Sequence, residues 1–238
     1  MQLPYFFEEN IPASGNFNLS ETSSRHIVQV LRMQEGDFIN ITNGNGAIVT
    51  CKITTANKKH CEISLGESQV TNPPKQKICI AISPIKNTNR FEWFLEKATE
   101  IGVSEILPVL CSRTEKTYLK KERLQQIIVS AMLQSQQSWM PRLKEPVNFI
   151  DLIKSETSGT KLIAHCLDSA KRHINSFAKK EHPKLILIGP EGDFIEKEIS
   201  AALENNFAPV SLGETRLRTE TAGIVAAVLL KNYLEEER

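Results

Sequence analysis

Towards the C-terminal end, two glycine-bearing segments combine residue types that can hold a small ligand and handle charge. Leu185-Ile186-Leu187-Ile188 is an apolar run that leads directly into Gly189-Pro190-Glu191-Gly192-Asp193. A glycine-rich turn at the carboxyl end of a buried parallel strand is where α/β proteins bind ligands. Without a Cβ, the backbone amides and carbonyls of such a turn approach a ligand closely. After a spacer, Leu212-Gly213-Glu214-Thr215-Arg216-Leu217-Arg218-Thr219-Glu220-Thr221-Ala222 repeats the arrangement: a short strand, a glycine and a helix start, with Thr219 as the expected N-cap. Arg216 and Arg218 precede the positive end of that helix. An anion, or a ring that gains negative charge during reaction, would relieve the conflict. Each segment also has a plainer reading. The first could be a tight strand-to-helix connection, with Glu196 and Glu198 suited to the next helix start. The second could be a solvated arginine pair with Glu220 as partner.

Basic residues gather at Lys58-Lys59-His60, at Arg113 with Lys116, Lys120, Lys121 and Arg123, and at Lys171-Arg172-His173. Such runs serve equally as solvated faces or as contacts to a polyanion. The Arg113–Arg123 group is the favoured contact, because it follows a strand in the second half of the chain.

The elements that must position these residues fall into two patterns. Over the first seventy or so residues, apolar side chains mostly recur at the two-residue period of strands. Strands are expected at Tyr5–Phe7, Phe38–Thr42, Ala47–Ile53 and Cys61–Leu65, with Asn43-Gly44-Asn45-Gly46 as a hairpin turn. One helix interrupts them, capped by Ser20 with Ile27, Val30 and Leu31 on one face. So many short strands suggest a small barrel. Thr71-Asn72-Pro73-Pro74-Lys75 reads as a linker, dividing the chain into residues 1–71 and 72–238. Beyond it, strands alternate with helices. Strands are expected at Lys77–Ser83, Ile106–Leu110, Leu162–Leu167, Leu185–Ile188 and Val210–Leu212. Helices are expected on the stripe from Phe91 to Ile101 stopped by Gly102, around Leu124–Ala131, and over Thr219–Tyr233. This alternation implies a parallel sheet covered on both faces.

The net charge is +1, so a protein that coats nucleic acid indiscriminately is excluded, and any RNA binding must come from local patches and shape. No apolar run is long enough to span a membrane. Glu8 and Glu9 near the N-terminus exclude a signal peptide. Five scattered cysteines argue for a reducing cytoplasm and against a disulfide framework or a zinc site; no metal constellation is visible.

The paired C-terminal segments resemble the RsmE family of 16S ribosomal RNA uridine methyltransferases, members of the SPOUT class. Gly-Pro-Glu-Gly at 189–192 and Leu-Arg-Thr-Glu-Thr-Ala at 217–222 carry the match. It extends to Lys97-Ala98-Thr99-Glu100-Ile101-Gly102-Val103 and to His26 with Val30-Leu31-Arg32, so it spans nearly the whole chain in order. Three departures stand out. Asp193 replaces a usual second glycine. Thr215 and Arg216 stand where the family often has Arg-Ile. Ala131-Met132-Leu133-Gln134-Ser135-Gln136-Gln137 lacks an acidic residue and an arginine of the family segment.

The resemblance implies an N-terminal PUA-like RNA-binding β-barrel at 1–71 and an α/β domain with a C-terminal trefoil knot at 72–238. It implies S-adenosylmethionine as cofactor, held by loops near Leu167-Asp168, Ile188 to Gly192 (with Gly189, Pro190 and Glu191), and Leu212 to Thr219 (with Gly213, Leu217 and Arg218). It implies methylation at N3 of a uridine in the small-subunit decoding region, no metal, a homodimer that buries the apolar last helix, and the 16S ribosomal RNA or the small subunit as partner. N3 lies between two carbonyls and becomes nucleophilic only when its proton leaves, so a cationic donor at those oxygens would stabilise the developing charge. Arg218 is the expected donor, since a guanidinium makes two bonds to a planar acceptor. Glu191 or Glu220 would take the proton. RNA contacts are expected from Arg25, Arg32, Lys58, Lys59, Arg113, Lys116, Gln134 and Arg216. Two competing functions remain. A ribose 2′-O-methyltransferase of the same class would carry a Ser-Leu-Asn segment that is absent here. A non-catalytic RNA-binding protein would have no reason to keep the two glycine segments.

Overall fold

The computed structural model of the chain describes residues 3–155, 159–178 and 183–232. These form two compact units, one of residues up to Pro73 with Val129–Met140, the other of Pro74–Ile128 with Pro141 onward.

The first unit contains β1 (Tyr5–Phe7), β2 (Asn16–Asn18), α1 (Glu21–Arg25), a π-helical turn (His26–Val30), β3 (Phe38–Thr42), β4 (Ala47–Thr55) and β5 (Glu62–Val70). The strands form one sheet in the order β1-β3-β4-β5-β2. Register irregularities at Val49/Cys51 and Ile53/Thr55 curl the β4–β5 pair. The alternation read from the sequence holds: Ile39, Ile41, Val49, Cys51, Ile53 and Ile63 point into one core with Phe6, Leu19 and Ile27. Ser20 caps α1, its hydroxyl accepting from the Ser23 amide. Buried Glu8 accepts from the Ser20 amide and from the Ser20 and Ser23 hydroxyls at 2.8–3.1 Å. A residue that argued against a signal peptide thus also orders the helix start. β2 and the π-helical turn were not expected, and β5 runs five residues past the expected Leu65.

The second unit begins with β6 (Ile78–Ile82), α2 (Thr88–Ile101), β7 (Glu105–Leu110) and α3 (Lys121–Gln134), whose last turns belong to the first unit. It continues with β8 (Arg142–Leu143), β9 (Val147–Asn148), α4 (Phe149–Lys154), β10 (Thr160–Ala164), β11 (Arg172–His173), α5 (Asn175–Ala178), β12 (Lys184–Ile188), α6 (Glu196–Glu204), β13 (Ala208–Ser211) and α7 (Thr219–Asn232). The main sheet is parallel, in the order β11-β13-β10-β12-β6-β7-β8. Every residue of β12 is buried, as a central strand covered on both faces requires. Leu185 and Leu187 pack with Phe149, Leu152, Ile199 and Ala202 of α4 and α6. The opposite face carries α2 and α7, where Gly223 lets α7 approach Phe94 and Ile82; a Cβ there would meet the Phe94 ring at 2.6 Å. Gly102 ends α2 in the left-handed conformation (φ 85°), as read from the sequence.

Several boundaries differ from the reading above, among them β13, which runs Ala208–Ser211 rather than Val210–Leu212. β10 ends at Ala164, so Leu167 lies in a loop. The short α4, α5 and β11 carry too few residues to show a period. Thr219 is the first helical residue of α7, not its cap; the Arg218 carbonyl accepts the first helical bond from Ala222 at 2.8 Å, so Arg218 occupies the N-cap position. The expected extension of this helix to Tyr233 lies outside the described residues. Among the described residues no helix is long and apolar enough to cross a membrane.

Candidate functional site

Strands β13, β10 and β12 are neighbours and parallel, with Ala164 aligned to both Val210 and Ile188. The segments leaving their carboxyl ends are therefore neighbours too: residues 165–171, 189–195 and 212–218. Those leaving β6 and β7 flank them through the Ile188–Ile82–Pro108 register. Sequence order hid this, because β12 inserts between β10 and β6.

Hydrogen bonds tie the loops together. The Ser83 amide donates to Ile188 O at 3.0 Å. The Cys166 amide donates to Asp193 Oδ2 at 2.8 Å, and the Phe194 amide to Asp193 Oδ1 at 2.8 Å. Asp193 sits at φ 63°, a left-handed conformation. Aspartate and asparagine are among the few side chains other than glycine that adopt it. Here the carboxylate repays the strain by bridging two loops. Arg113 donates through Nη1 to Gly192 O, joining the β7–α3 loop to the glycine turn. The Ser112 amide donates to Glu198 Oε1 at 2.7 Å, while Glu198 Oε2 accepts from the Ile195 amide at 3.0 Å and closes the start of α6. Glu198 thus has a structural task that its place in the sequence only partly suggested.

These ties frame an open cleft of about 250 Å³ lined by Arg113, Cys166, Leu167, Gly192, Asp193, Phe194, Ile195, Glu196, Ile199 and Arg216. Of the residues expected to hold a cofactor, Leu167 and Gly192 line it. Ile188, Gly189 and Pro190 are buried behind it, and Leu212, Gly213, Leu217 and Arg218 belong to the loop that carries Arg216. Two of the glycines sit in tight surroundings. A Cβ on Gly189 would come within 3.1 Å of the Phe194 ring, and one on Gly192 within 3.2 Å of Arg113 Cδ. Gly213 has φ 143° with open space at its Cβ position. Apolar Leu167, Phe194, Ile195 and Ile199 beside exposed backbone and cations suit a nucleoside that carries an amino-acid group. The residues present therefore fit S-adenosylmethionine.

The charged candidates separate. Arg218 is exposed and has no ion pair among the described residues. Glu191 is exposed, with the Lys86 amide 3.5 Å from its Oε2. Glu220 is buried, with Oε1 3.8 Å from Arg90 Nε and Oε2 without a hydrogen-bond partner. Neither carboxylate pairs with Arg218, so the arginine–Glu220 pairing of the plainer reading is not made by Arg218. Arg90 was not singled out in the sequence, since a lone arginine early in a helix carries no local signal. His165 at the end of β10 was also missed. It is buried, and neither ring nitrogen has a partner. Burial, aided by nearby Lys171, pushes its pKa down and keeps the ring neutral.

Arg113 and Arg216 meet at the cleft, and Lys116 donates to the Thr88 hydroxyl beside it. Arg25, Arg32, Lys58, Lys59 and Gln134 belong to the other unit, all exposed. Arg25 pairs with Glu21 at 2.5 Å on the surface, a pairing too weak to withhold it from a phosphate. Arg32 has φ 54°, which turns the chain sharply after the π-helical turn.

Comparison with known proteins gives consistent matches. The family model described as RNA methyltransferase domain matches residues 72–231, and that described as RNA methyltransferase PUA domain matches residues 19–66. The crystal structure of a probable rRNA-methyltransferase from Porphyromonas gingivalis is 38% identical, with a TM-score of 0.93 over 99% of this chain and 100% of that one. A ribosomal RNA small subunit methyltransferase E from Neisseria gonorrhoeae, solved with S-adenosyl methionine bound, is 26% identical, with a TM-score of 0.84 and 98% of each chain covered. The ribosomal RNA small subunit methyltransferase E of Mesomycoplasma hyopneumoniae (strain 232) is 30% identical over 92% of this chain and 96% of that protein.

Proposed function

The chain belongs to the RNA methyltransferase domain family, and on that premise we propose that it methylates N3 of a uridine in small-subunit ribosomal RNA, using S-adenosylmethionine. The observation that carries this reading is the cleft itself: three loops from adjacent parallel strands bring glycine backbone, an apolar wall and Arg216 to one place, and the β7–α3 loop adds Arg113. A related enzyme of the same fold binds the same donor.

S-adenosylmethionine supplies an electrophilic methyl group. The chain's own residues do the rest. Backbone groups of 189–192 and 212–218 would hold the donor, and Leu217 would pack on its base. The loop order, with β10 lying between β12 and β13, is what a knotted crossing of these loops would produce. Arg218 projects from the N-cap of α7 and donates to the uracil carbonyl oxygens as charge builds on them. A carboxylate takes the N3 proton and frees the lone pair for the methyl group. Glu191 is the accessible choice, whereas Glu220 is buried beside Arg90 in the first turn of α7. Arg25, Arg32, Lys58, Lys59 and Gln134 in the PUA unit, with Arg113, Lys116 and Arg216 in the catalytic unit, contact the RNA backbone.

A second copy of the chain covers α7. Gly223, Ala226, Ala227 and Leu230 are buried within the subunit, but Ile224, Val225, Val228 and Leu229 stay partly exposed. That apolar stripe suits an interface. The localisation that fits this work is the cytoplasm, where ribosomal RNA is.

Calorimetric titration with S-adenosylmethionine tests the reading. Saturable binding at one site per chain supports it. Absence of binding, in a protein that still binds RNA, would leave an RNA clamp with no enzymatic role.

A further inference from the structure

The loop from β7 to α3 is pinned at its start and open at its tip. The Cys111 amide donates to the Thr114 hydroxyl at 2.8 Å, Thr114 shares a 2.7 Å hydrogen bond with Ser83, and Arg113 reaches Gly192 O. Lys116 is tied to Thr88. Past that point the backbone has no helix or strand until Lys121, and Tyr118 stands 73% exposed with no partner among the described residues. It shares residues 113–123 with five basic side chains against two acidic ones, in a chain whose net charge is only +1. Several of those cations already have partners: Lys121 with Glu145, and Arg123 with Glu92. Lys120 is exposed and unpaired among the described residues.

A single exposed apolar residue is ordinary and needs no explanation. Position and surroundings set this one apart. Among the described residues of this unit, the large exposed hydrophobics that lie in loops rather than in helices or strands are Tyr118 and Leu167, and Leu167 lines the cleft. An aromatic ring between Lys116 and Lys120, in the same loop that sends Arg113 to the cleft, has the composition of a single-strand stacking platform. The reaction also calls for one. N3 lies on the Watson–Crick edge, so the target uracil must leave any pairing and stack before it reacts, and its neighbours lose stacking partners.

We propose that Tyr118 stacks on an unpaired base of the substrate RNA beside the target uridine, with Lys120 on the adjoining phosphate. This rests on the methyltransferase reading above. Tyr118 binds and positions RNA and touches neither the donor nor the reacting atoms.

The test uses the full-length protein and a fluorescein-labelled single-stranded RNA with the sequence of the methylated region of small-subunit RNA. Kd is read by anisotropy, donor affinity by calorimetry and Tm by circular dichroism. Tyr118→Ala should weaken RNA binding about 5- to 100-fold, with donor affinity and Tm unchanged. Tyr118→Phe and Tyr118→Trp should stay within about twofold of wild type, because the ring face makes the contact. Lys120→Ala should flatten the slope of log K against log salt by about 0.7, whereas Tyr118→Ala should leave it unchanged. Unchanged RNA affinity in Tyr118→Ala overturns the proposal, as does an equal loss in Tyr118→Phe, which would assign the contact to the hydroxyl. A wild-type protein that binds neither donor nor RNA sinks the underlying methyltransferase reading instead.

Discussion

Arg113 donates to the carbonyl of Gly192, so the basic loop after β7 and the glycine turn after β12 are joined by one guanidinium. The sequence pointed to Arg113 as an RNA contact. Its position makes it also a brace for the donor cleft, where an added Cβ on Gly192 would touch its side chain. Arg113→Ala should therefore weaken S-adenosylmethionine binding as well as RNA binding, by about 3- to 10-fold each, the loss of an exposed charge-assisted hydrogen bond. Calorimetry on the variant checks this; unchanged donor affinity would reduce Arg113 to a phosphate contact.

Gly46 lies against Trp139, whose indole nitrogen donates to the Thr71 hydroxyl at 3.0 Å. A Cβ at Gly46 would come within 2.6 Å of the indole and 2.9 Å of Thr71 O, at φ 93°. Gly36 has a similar φ of 96° with nothing within 4 Å. Both alanine variants incur backbone strain, on the order of 1 kcal/mol. Gly46→Ala adds overpacking of about 1–3 kcal/mol. Thermal denaturation should rank wild type, then Gly36→Ala, then Gly46→Ala; equal Tm values for the two variants would mean that the Trp139 contact yields freely.

Lys184 is buried at the start of β12, its ammonium donating to Gln76 Oε1 at 2.5 Å. Burial pulls its pKa down from 10.5 to about 8. Between those values the unfolded chain holds the proton and the folded one does not, so this group makes stability rise with pH from about 8 to 10.5. Below pH 8 the buried charge costs at most about 3 kcal/mol. Lys184→Met should raise Tm at pH 7 and remove that part of the alkaline gain. A lower Tm for the variant at both pH 7 and pH 10 would show that the bond to Gln76 outweighs desolvation.

Arg218→Ala should slow single-turnover methyl transfer by about 100- to 1000-fold, the usual effect of losing one donor to a developing oxyanion. Donor affinity and Tm should hold, because Arg218 is exposed and unpaired among the described residues. Arg218→Lys should not recover the full rate, since a point charge cannot make paired bonds. A slow rate matched by lost donor binding would make Arg218 a structural residue.

Much of this was legible in the sequence, for local reasons. The unbroken apolar run of β12 could only be a covered strand. Gly102 and Ser20 announced a helix end and a helix start through backbone chemistry confined to a few residues. The two glycine segments were recognisable because a ligand turn needs its residues contiguous. What stayed hidden depended on contacts across the chain. Asp193 looked like a defect in the glycine motif until its left-handed φ and its bridge to Cys166 were seen. Arg113 and Gly192 are far apart in sequence, and no periodicity links them. The pairing of buried Glu220 with partly exposed Arg90, neutral His165 and the Gly46–Trp139 packing likewise have no local signature. Thr219 was misread as a cap because threonine favours that position, whereas the chain begins the helix there and uses the Arg218 carbonyl.

The most direct measurement of the central claim is to incubate the protein with S-adenosylmethionine and small ribosomal subunits lacking the modification, digest the RNA to nucleosides, and identify the product by mass spectrometry. The account predicts a single new species, 3-methyluridine, in stoichiometric yield and dependent on Arg218. A ribose-methylated nucleoside, or no methylated nucleoside despite donor binding, would contradict it.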